Sequence, residues 1–394
     1  MHGSTVNPGA AASLILNRIV YAVNWFSLAA VFSLIASEFN QNISGLGLAT
    51  AAFYVSIGIF QVPGGILAAS IGPRLTAICG TIVASLSVLL TGFAHSLVEI
   101  VVLRFFVGLG MAFVFSPGVI LITRFLRKGS QGLGVGLYNS AFYIGSAAGL
   151  SGWSIFASLV GWRASLIAGG LLGLFTSVLI LISVPKDTWH SNFKVDFLQL
   201  KRVLSNKWLI TLSVTLLGLG VGNTVVGNFM PYYLEDAIHI SAGEAGTIAS
   251  TTSLSALATA PFWGKLFDKV SDAKQLLLAS GVLMAIGVGI ASLGTIYSAV
   301  LSGVLVGLAA GSGYTFGYSA VRVAKGIDRE YETLAVSWVN SISLLGNFVP
   351  PLCFSYMVIQ CGYSFSWLFL AVLTSAFMIP LLLVCAVPSS PYRE

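Results

Sequence analysis

The chain has 394 residues, of which 56% are hydrophobic and 8% charged, with a formal net charge of +6. A soluble domain needs roughly a quarter of its residues charged to cover its surface, so a water-soluble fold is excluded and the apolar excess must face lipid. The positive balance does not point to nucleic acid, because 16 of the 19 basic residues lie in one set of loops between apolar runs.

A membrane-spanning helix needs about 20 predominantly apolar residues, and charges and turn residues delimit twelve such runs. They lie near 13–36, 46–70, 75–95, 97–123, 131–157 and 163–184, then near 209–234, 245–267, 275–295, 297–321, 333–359 and 364–387. Spanning β-strands are shorter and alternate in polarity; these runs do neither. The 43 glycines suit helices that approach closely within a bilayer. No Lys or Arg precedes the first run and no small-residue cleavage site follows it, so a cleaved signal peptide is not expected.

Lys and Arg placement sets orientation. One side receives Arg74, Arg124, Arg127, Lys128, Lys186, Lys194, Lys201, Arg202, Lys207, Lys265, Lys269, Lys274, Arg322, Lys325, Arg329 and Arg393. The opposite loops hold Arg163 together with Glu38, Glu235, Asp236 and Glu244. The alternation predicts a multi-pass protein of the inner or plasma membrane with both termini cytoplasmic.

The longest loop runs from Pro185 to Lys207. Phe193, Phe197, Leu200 and Leu204 share one helical face there, with Lys194, Lys201 and Arg202 elsewhere on the wheel. That pattern reads as a basic amphipathic helix on the membrane surface, with an irregular linker as the alternative.

The two halves repeat. Gly65-Ile-Leu-Ala-Ala69 matches Gly264-Lys-Leu-Phe-Asp268, and Val107-Gly-Leu-Gly110 matches Val306-Gly-Leu-Ala309, each 199 residues apart. Val135, Asn139, Ser140 and Gly145 match Val336, Asn340, Ser341 and Gly346 at an offset of 201. The expected organisation is an N-terminal six-helix bundle (1–185), a cytoplasmic linker (186–207) and a C-terminal six-helix bundle (208–394). Such a plan places a substrate path between the bundles.

These features resemble the major facilitator superfamily over essentially the whole chain. Its signature between spans 2 and 3, Gly-x-Leu-x-Asp-Arg-x-Gly-x-Arg, reads here Gly65-Ile-Leu67-Ala-Ala69-Ser70-Ile-Gly72-Pro-Arg74, without the acid and its basic neighbour. The second copy keeps the acid at Asp268. Arg104-Phe-Phe-Val-Gly108-Leu-Gly110-Met-Ala112 is similar to the family's span-4 motif, and Gly161-Trp162-Arg163 stands where many members have that triplet. The resemblance implies an all-α integral membrane fold of twelve transmembrane helices in two six-helix bundles, working by alternating access. A carboxylate at Asp268 can accept bonds from a helix N-terminus or pair with Arg127 or Lys128. With Arg74 these form a candidate latch, one-sided because Ala69 replaces the other acid.

Ionisable groups inside a bilayer cost about 2.5–3.5 kcal/mol at mid-helix and are functional candidates. Arg104 in span 4 reads either as a partner for an anion or a proton, or as a tie to the carbonyls of span 1 or 5. Arg18 reads as snorkelling to the cytoplasmic surface, and Glu99 as interfacial. No acid occupies the middle of any span, which disfavours carriers that bind cations on an embedded carboxylate. Candidate substrate-binding residues are Asn24, Tyr54, Arg104, Asn139, Tyr143, Asn223, Asn340 and Asn347, with Tyr138, Tyr314 and Tyr318 as further hydroxyls. For each amide the alternative is a bond between helices, worth about 0.6 kcal/mol.

The cysteines (Cys79, Cys353, Cys361, Cys385) lack metal or redox spacing and read as small packing residues, and the four histidines lie outside the spans. No metal, cofactor or catalytic site is expected. The function expected is transport of a small organic anion such as a monocarboxylate, with a proton as candidate co-substrate, by a monomer in the lipid bilayer. The alternatives are a drug or amphiphile exporter working by proton antiport, whose span-5 motif is incomplete at Gly145-Ser-Ala-Ala-Gly149-Leu150, or a uniporter of a neutral solute.

Overall fold

The structure, a computed structural model, describes residues 7–125, 131–186, 197–269, 273–321 and 332–383. The described residues form helices and turns with no strand. Spans 1 to 3 are Pro8–Phe39, Ile43–Ile71 and Pro73–Thr91. Span 4 is Leu97–Ala112 continued by Phe115–Arg124, span 5 runs through Gln131–Ala147, a π-turn at Ala148–Gly152 and Trp153–Val160, and span 6 is Trp162–Ser183. After a short helix, Phe197–Leu204, spans 7 to 10 are Lys207–Ala237, Ala242–Lys269, Ala273–Ile290 and Ile296–Val321. Spans 11 and 12 are built from Glu332–Gly346, Val349–Ala376 and Ile379–Leu382.

Among the described residues ten helical segments are long and apolar enough to cross a membrane. Two features connect that number with twelve crossings. Gly362, at φ 78°, turns the chain inside Val349–Ala376, so the apolar stretch Leu334–Leu382 crosses twice. Ala242–Lys269 has the length of a span, but its Ser250-Thr-Thr-Ser253 run dilutes its apolar character.

Local chemistry sets the helix ends. Asn7 caps span 1 by accepting from the Ala10 amide at 3.0 Å, and Asn206 caps span 7 by accepting from the Trp208 and Leu209 amides. Asn42 caps span 2 by accepting from the Ser44 amide at 3.0 Å. Ser241 and Glu244 form a capping box at the start of span 8. There the Ser241 hydroxyl and backbone N–H hold the Glu244 carboxyl below its usual range.

Prolines account for the breaks. A proline removes the bond to the carbonyl four residues earlier and crowds it. Pro117 interrupts span 4 at Phe113, Pro350 and Pro351 interrupt span 11 at Gly346–Phe348, and Pro380 interrupts span 12 after Ala376. Pro63 and Pro231 lie inside continuous helices.

Close packing within each bundle uses small residues. A Cβ on Gly108 would collide with the Phe53 carbonyl of span 2, and a Cβ on Gly307 with the Thr252 carbonyl of span 8. These are the same contact in the two halves, 199 residues apart. The exporter-like glycines of span 5 also pack closely, Gly145 against the Ile19 carbonyl and Gly149 against Val23, both in span 1. Large apolar side chains such as Leu159, Phe175, Ile182 and Val372 point outward, where lipid would lie.

The short helix after span 6 covers only part of the predicted amphipathic stretch; Phe193 and Lys194 lie outside the described residues. Lys201 and Arg202 are exposed, whereas Val203, off the predicted apolar face, is buried against the C-terminal bundle. Cys79 and Cys361 are exposed instead of filling the interior as expected, Cys361 beside the turn at Gly362.

Candidate functional site

Spans 1 and 7 are the most deeply buried of the long helices and face each other at the seam between the bundles. Midway along them is a cavity of about 60 Å³, enough for a few waters or one small polyatomic solute. Phe26, Phe142, Tyr143, Ser146 and Leu150 line it from the N-terminal bundle. The C-terminal bundle contributes Asn223, Gly227, Thr252, Ser253, Ala256, Ala310 and Tyr314. Asn223 is within hydrogen-bonding reach of Tyr314.

Towards the loops that carry Glu38 and Asp236 the bundles meet. Phe32 packs edge-on to Tyr232 at 5.5 Å, and the Ser151 and Thr247 hydroxyls are 3.0 Å apart. Nearer the basic face, Ser341 donates to the Gly58 carbonyl at 2.6 Å, joining span 11 to span 2.

Of the predicted binding residues, Tyr143 and Asn223 line the cavity, as does Tyr314 of the further hydroxyls. Tyr54 is buried beside it, edge-on to Trp25 at 5.9 Å and within reach of Thr224 and Asn228 on span 7. The remaining amides take other positions. Asn24 donates to the Gly169 carbonyl of span 6 at 3.1 Å, and Asn340 accepts from the Tyr318 hydroxyl at 2.6 Å. Asn347 donates to the Ser343 carbonyl and fills the space over Gly220, while Asn139 is exposed.

Arg104 is 3% exposed and lies outside the cavity lining. Its Nη1 and Nη2 donate to the Asn24 and Trp25 carbonyls of span 1 at 3.3 and 3.1 Å, with the guanidinium 4.7 Å from the Phe53 ring centre. Of the latch residues, Arg74 donates to the Leu181 carbonyl of span 6 at 2.7 Å, inside its own bundle. Arg127, Lys128 and the Asp268 side chain lie outside the described residues.

Arg18 corrects a sequence expectation. It does not snorkel: it is 6% exposed, with its guanidinium 4.5–4.9 Å from the ring centres of Tyr21, Phe115, Tyr138 and Phe142. Four aromatic side chains from spans 1, 4 and 5 enclose it, an arrangement no periodicity in span 1 could reveal. Sequence reasoning also missed Ser146, Thr252 and Ser253 in the cavity wall. The signal for the last two was the hydroxyl run at 250–255, unusual in a membrane helix. Thr252 Oγ1 is buried without a hydrogen-bond partner.

The chain is similar to several curated proteins over most of its length. It is 24% identical to a probable nitrate transporter of Staphylococcus haemolyticus, covering 89% of each chain. It is 26% identical to the nitrite extrusion protein of Bacillus subtilis, covering 83% of this chain and 82% of that one. A probable sulfoacetate transporter of Cupriavidus necator is 24% identical, with 64% and 63% covered. Among solved structures, a D-xylose–proton symporter superposes with a TM-score of 0.78 at 15% identity, over 95% of this chain and 96% of that one. That likeness shows the fold. The Major Facilitator Superfamily model matches residues 14–222 and 212–394. With twelve crossings in two repeated bundles and a cavity at their seam, this chain belongs to the Major Facilitator Superfamily and is a multi-pass membrane transporter, not an enzyme.

Proposed function

We propose that this transporter moves a small monovalent anion, of the oxyanion, carboxylate or sulfonate class, by alternating access through the central cavity. One observation carries the reading: among the described residues the only buried charged side chains are Arg18 and Arg104, and no carboxylate is buried with them. Two buried guanidiniums without a protein counterion make the interior electrically suited to an anion and hostile to a cation. The cavity wall supplies neutral donors in Tyr143, Asn223, Thr252, Ser253 and Tyr314, which orient an anion without binding it irreversibly. Relatives named for nitrate, nitrite and sulfoacetate support the same class, and a monocarboxylate is one member of it. The basic face is cytoplasmic by the distribution of Lys and Arg, the protein works as a monomer, and a proton is the candidate coupling ion.

A thermal-shift panel in detergent followed by uptake into proteoliposomes tests this. Nitrate, nitrite, acetate and sulfoacetate are expected to raise the melting temperature, and labelled nitrate or acetate to accumulate. Faster uptake under an inward proton gradient than without one establishes symport; equal rates establish uniport. Stabilisation by tetraphenylphosphonium alone, with no anion effective, overturns the reading in favour of a lipophilic-cation exporter.

A further inference from the structure

The two buried guanidiniums are tethered differently: at Arg104 Nε alone lacks a partner, whereas at Arg18 both Nε and Nη1 do. Arg104 has both terminal nitrogens bonded to backbone carbonyls of span 1. Arg18 has no hydrogen-bond partner at Nε or Nη1, although both atoms are buried. Its four ring neighbours offer π-faces, which compensate the charge, and the Tyr21 hydroxyl is within hydrogen-bonding reach of the guanidinium, yet Nε and Nη1 stay without an acceptor. Donors without acceptors in a dry site are costly, and the group that complements them is rich in acceptors and negatively charged.

The position of Arg18 gives this a direction. Phe142 is a wall of both the aromatic box and the central cavity. Arg18 precedes the cavity residue Phe26 by eight positions in the same helix, about 12 Å along the axis at 1.5 Å per residue. It therefore lies on the basic-face side of the cavity. Tyr143, which lines the cavity, and Tyr318 are within electrostatic reach of Arg18.

We propose that Arg18 and its aromatic box are a second anion station, which receives the anion between the central cavity and the basic face through the uncommitted Nε–H and Nη1–H groups. The rings of Tyr21, Phe115, Tyr138 and Phe142 hold the guanidinium in place and keep water from it, and the passing anion supplies the missing acceptor. The inference rests on the anion reading above, and it assigns the binding cation to Arg18, leaving Arg104 a positioning role on span 1.

The test uses the full-length protein with sodium nitrate as probe. Nitrate-induced increments in melting temperature are measured against each variant's own nitrate-free baseline, alongside nitrate counterflow in proteoliposomes. Arg18→Lys, which keeps the charge and loses the planar donors, is expected to weaken apparent nitrate affinity at least tenfold. Arg18→Gln is expected to abolish counterflow. Should Arg18→Gln fail to fold, Arg18→Lys decides, because a merely structural role shifts the baseline and leaves the increment intact. If wild type responds to nitrate and Arg18→Lys titrates identically, the station is overturned while the anion reading stands. A wild-type protein that responds to none of nitrate, nitrite, acetate or sulfoacetate overturns both.

Discussion

The N-terminal and C-terminal bundles share a backbone plan and divide the chemistry unequally. Both close spans 2 and 4, or 8 and 10, over a glycine set against a carbonyl: Gly108 on Phe53 and Gly307 on Thr252. Both turn between their fifth and sixth spans on a glycine with positive φ, Gly161 at 85° and Gly362 at 78°. In each, the next residue donates to an acid at the end of the bundle's first span: Trp162 to Glu38 at 2.7 Å and Tyr363 to Asp236 at 2.8 Å. The interiors differ. The N-terminal bundle buries Arg18 and Arg104, whereas the matching positions 199 residues later are Leu217 and Gly303. The matched amides Asn24 and Asn223 have also diverged, one bonded within its bundle and the other in the cavity wall. Packing contacts have persisted through the repeat because a backbone clash tolerates no substitution. Charge has been concentrated in one half, leaving neutral donors on the other side of the seam.

The largest expected effect breaks the charged half. Arg104→Gln removes the bonds to the Asn24 and Trp25 carbonyls and should cost roughly 2–3 kcal/mol, read as a lower melting temperature in detergent together with slower nitrate uptake. Next, Gly108→Ala and Gly307→Ala test the shared packing. Each places a methyl against a backbone carbonyl and should cost about 1–3 kcal/mol; losses differing by more than that range would show that the bundles are not mechanically equivalent. The amide pair sharpens the division of labour. Asn223→Ala should raise the KM for nitrate about tenfold, the equivalent of one hydrogen bond of about 1.4 kcal/mol, with the melting temperature nearly unchanged. Asn24→Ala should do the reverse, and the same outcome for both would erase the contrast. The smallest effect belongs to the clasps at the ends of spans 1 and 7: Trp162→Phe and Tyr363→Phe should each cost about 1 kcal/mol or less, measured by thermal unfolding with transport rates preserved.

Much of the architecture was legible without coordinates. A bilayer forces backbone groups to be satisfied within helices, so apolar runs, charge alternation and the 199-residue repeat lead directly to two bundles of six. The breaks in spans 4, 11 and 12 and the turn at Gly362 came from the structure, where prolines and a left-handed glycine account for them. The candidate site was legible only in part. Tyr143 and Asn223 stood out as polar residues in apolar helices and do line the cavity. Asn24, Asn340 and Asn347 stood out for the same reason and are bonded inside their own bundles. Polarity in a membrane helix says that a side chain needs a partner; it does not say whether that partner is protein or solute.

Arg18 carries this furthest. Its place early in span 1 suggested a side chain long enough to reach the surface, a one-dimensional inference from depth alone. The tertiary structure decided otherwise by bringing Phe115 from span 4 and Tyr138 and Phe142 from span 5 around the guanidinium. Composition and periodicity determined by themselves that this protein lies in a membrane as two repeated bundles, because lipid leaves a hydrophobic chain few alternatives. Which buried cation has both terminal nitrogens tied to backbone and which keeps one open was decided by helix packing, since that depends on residues 79 to 124 positions apart meeting in space.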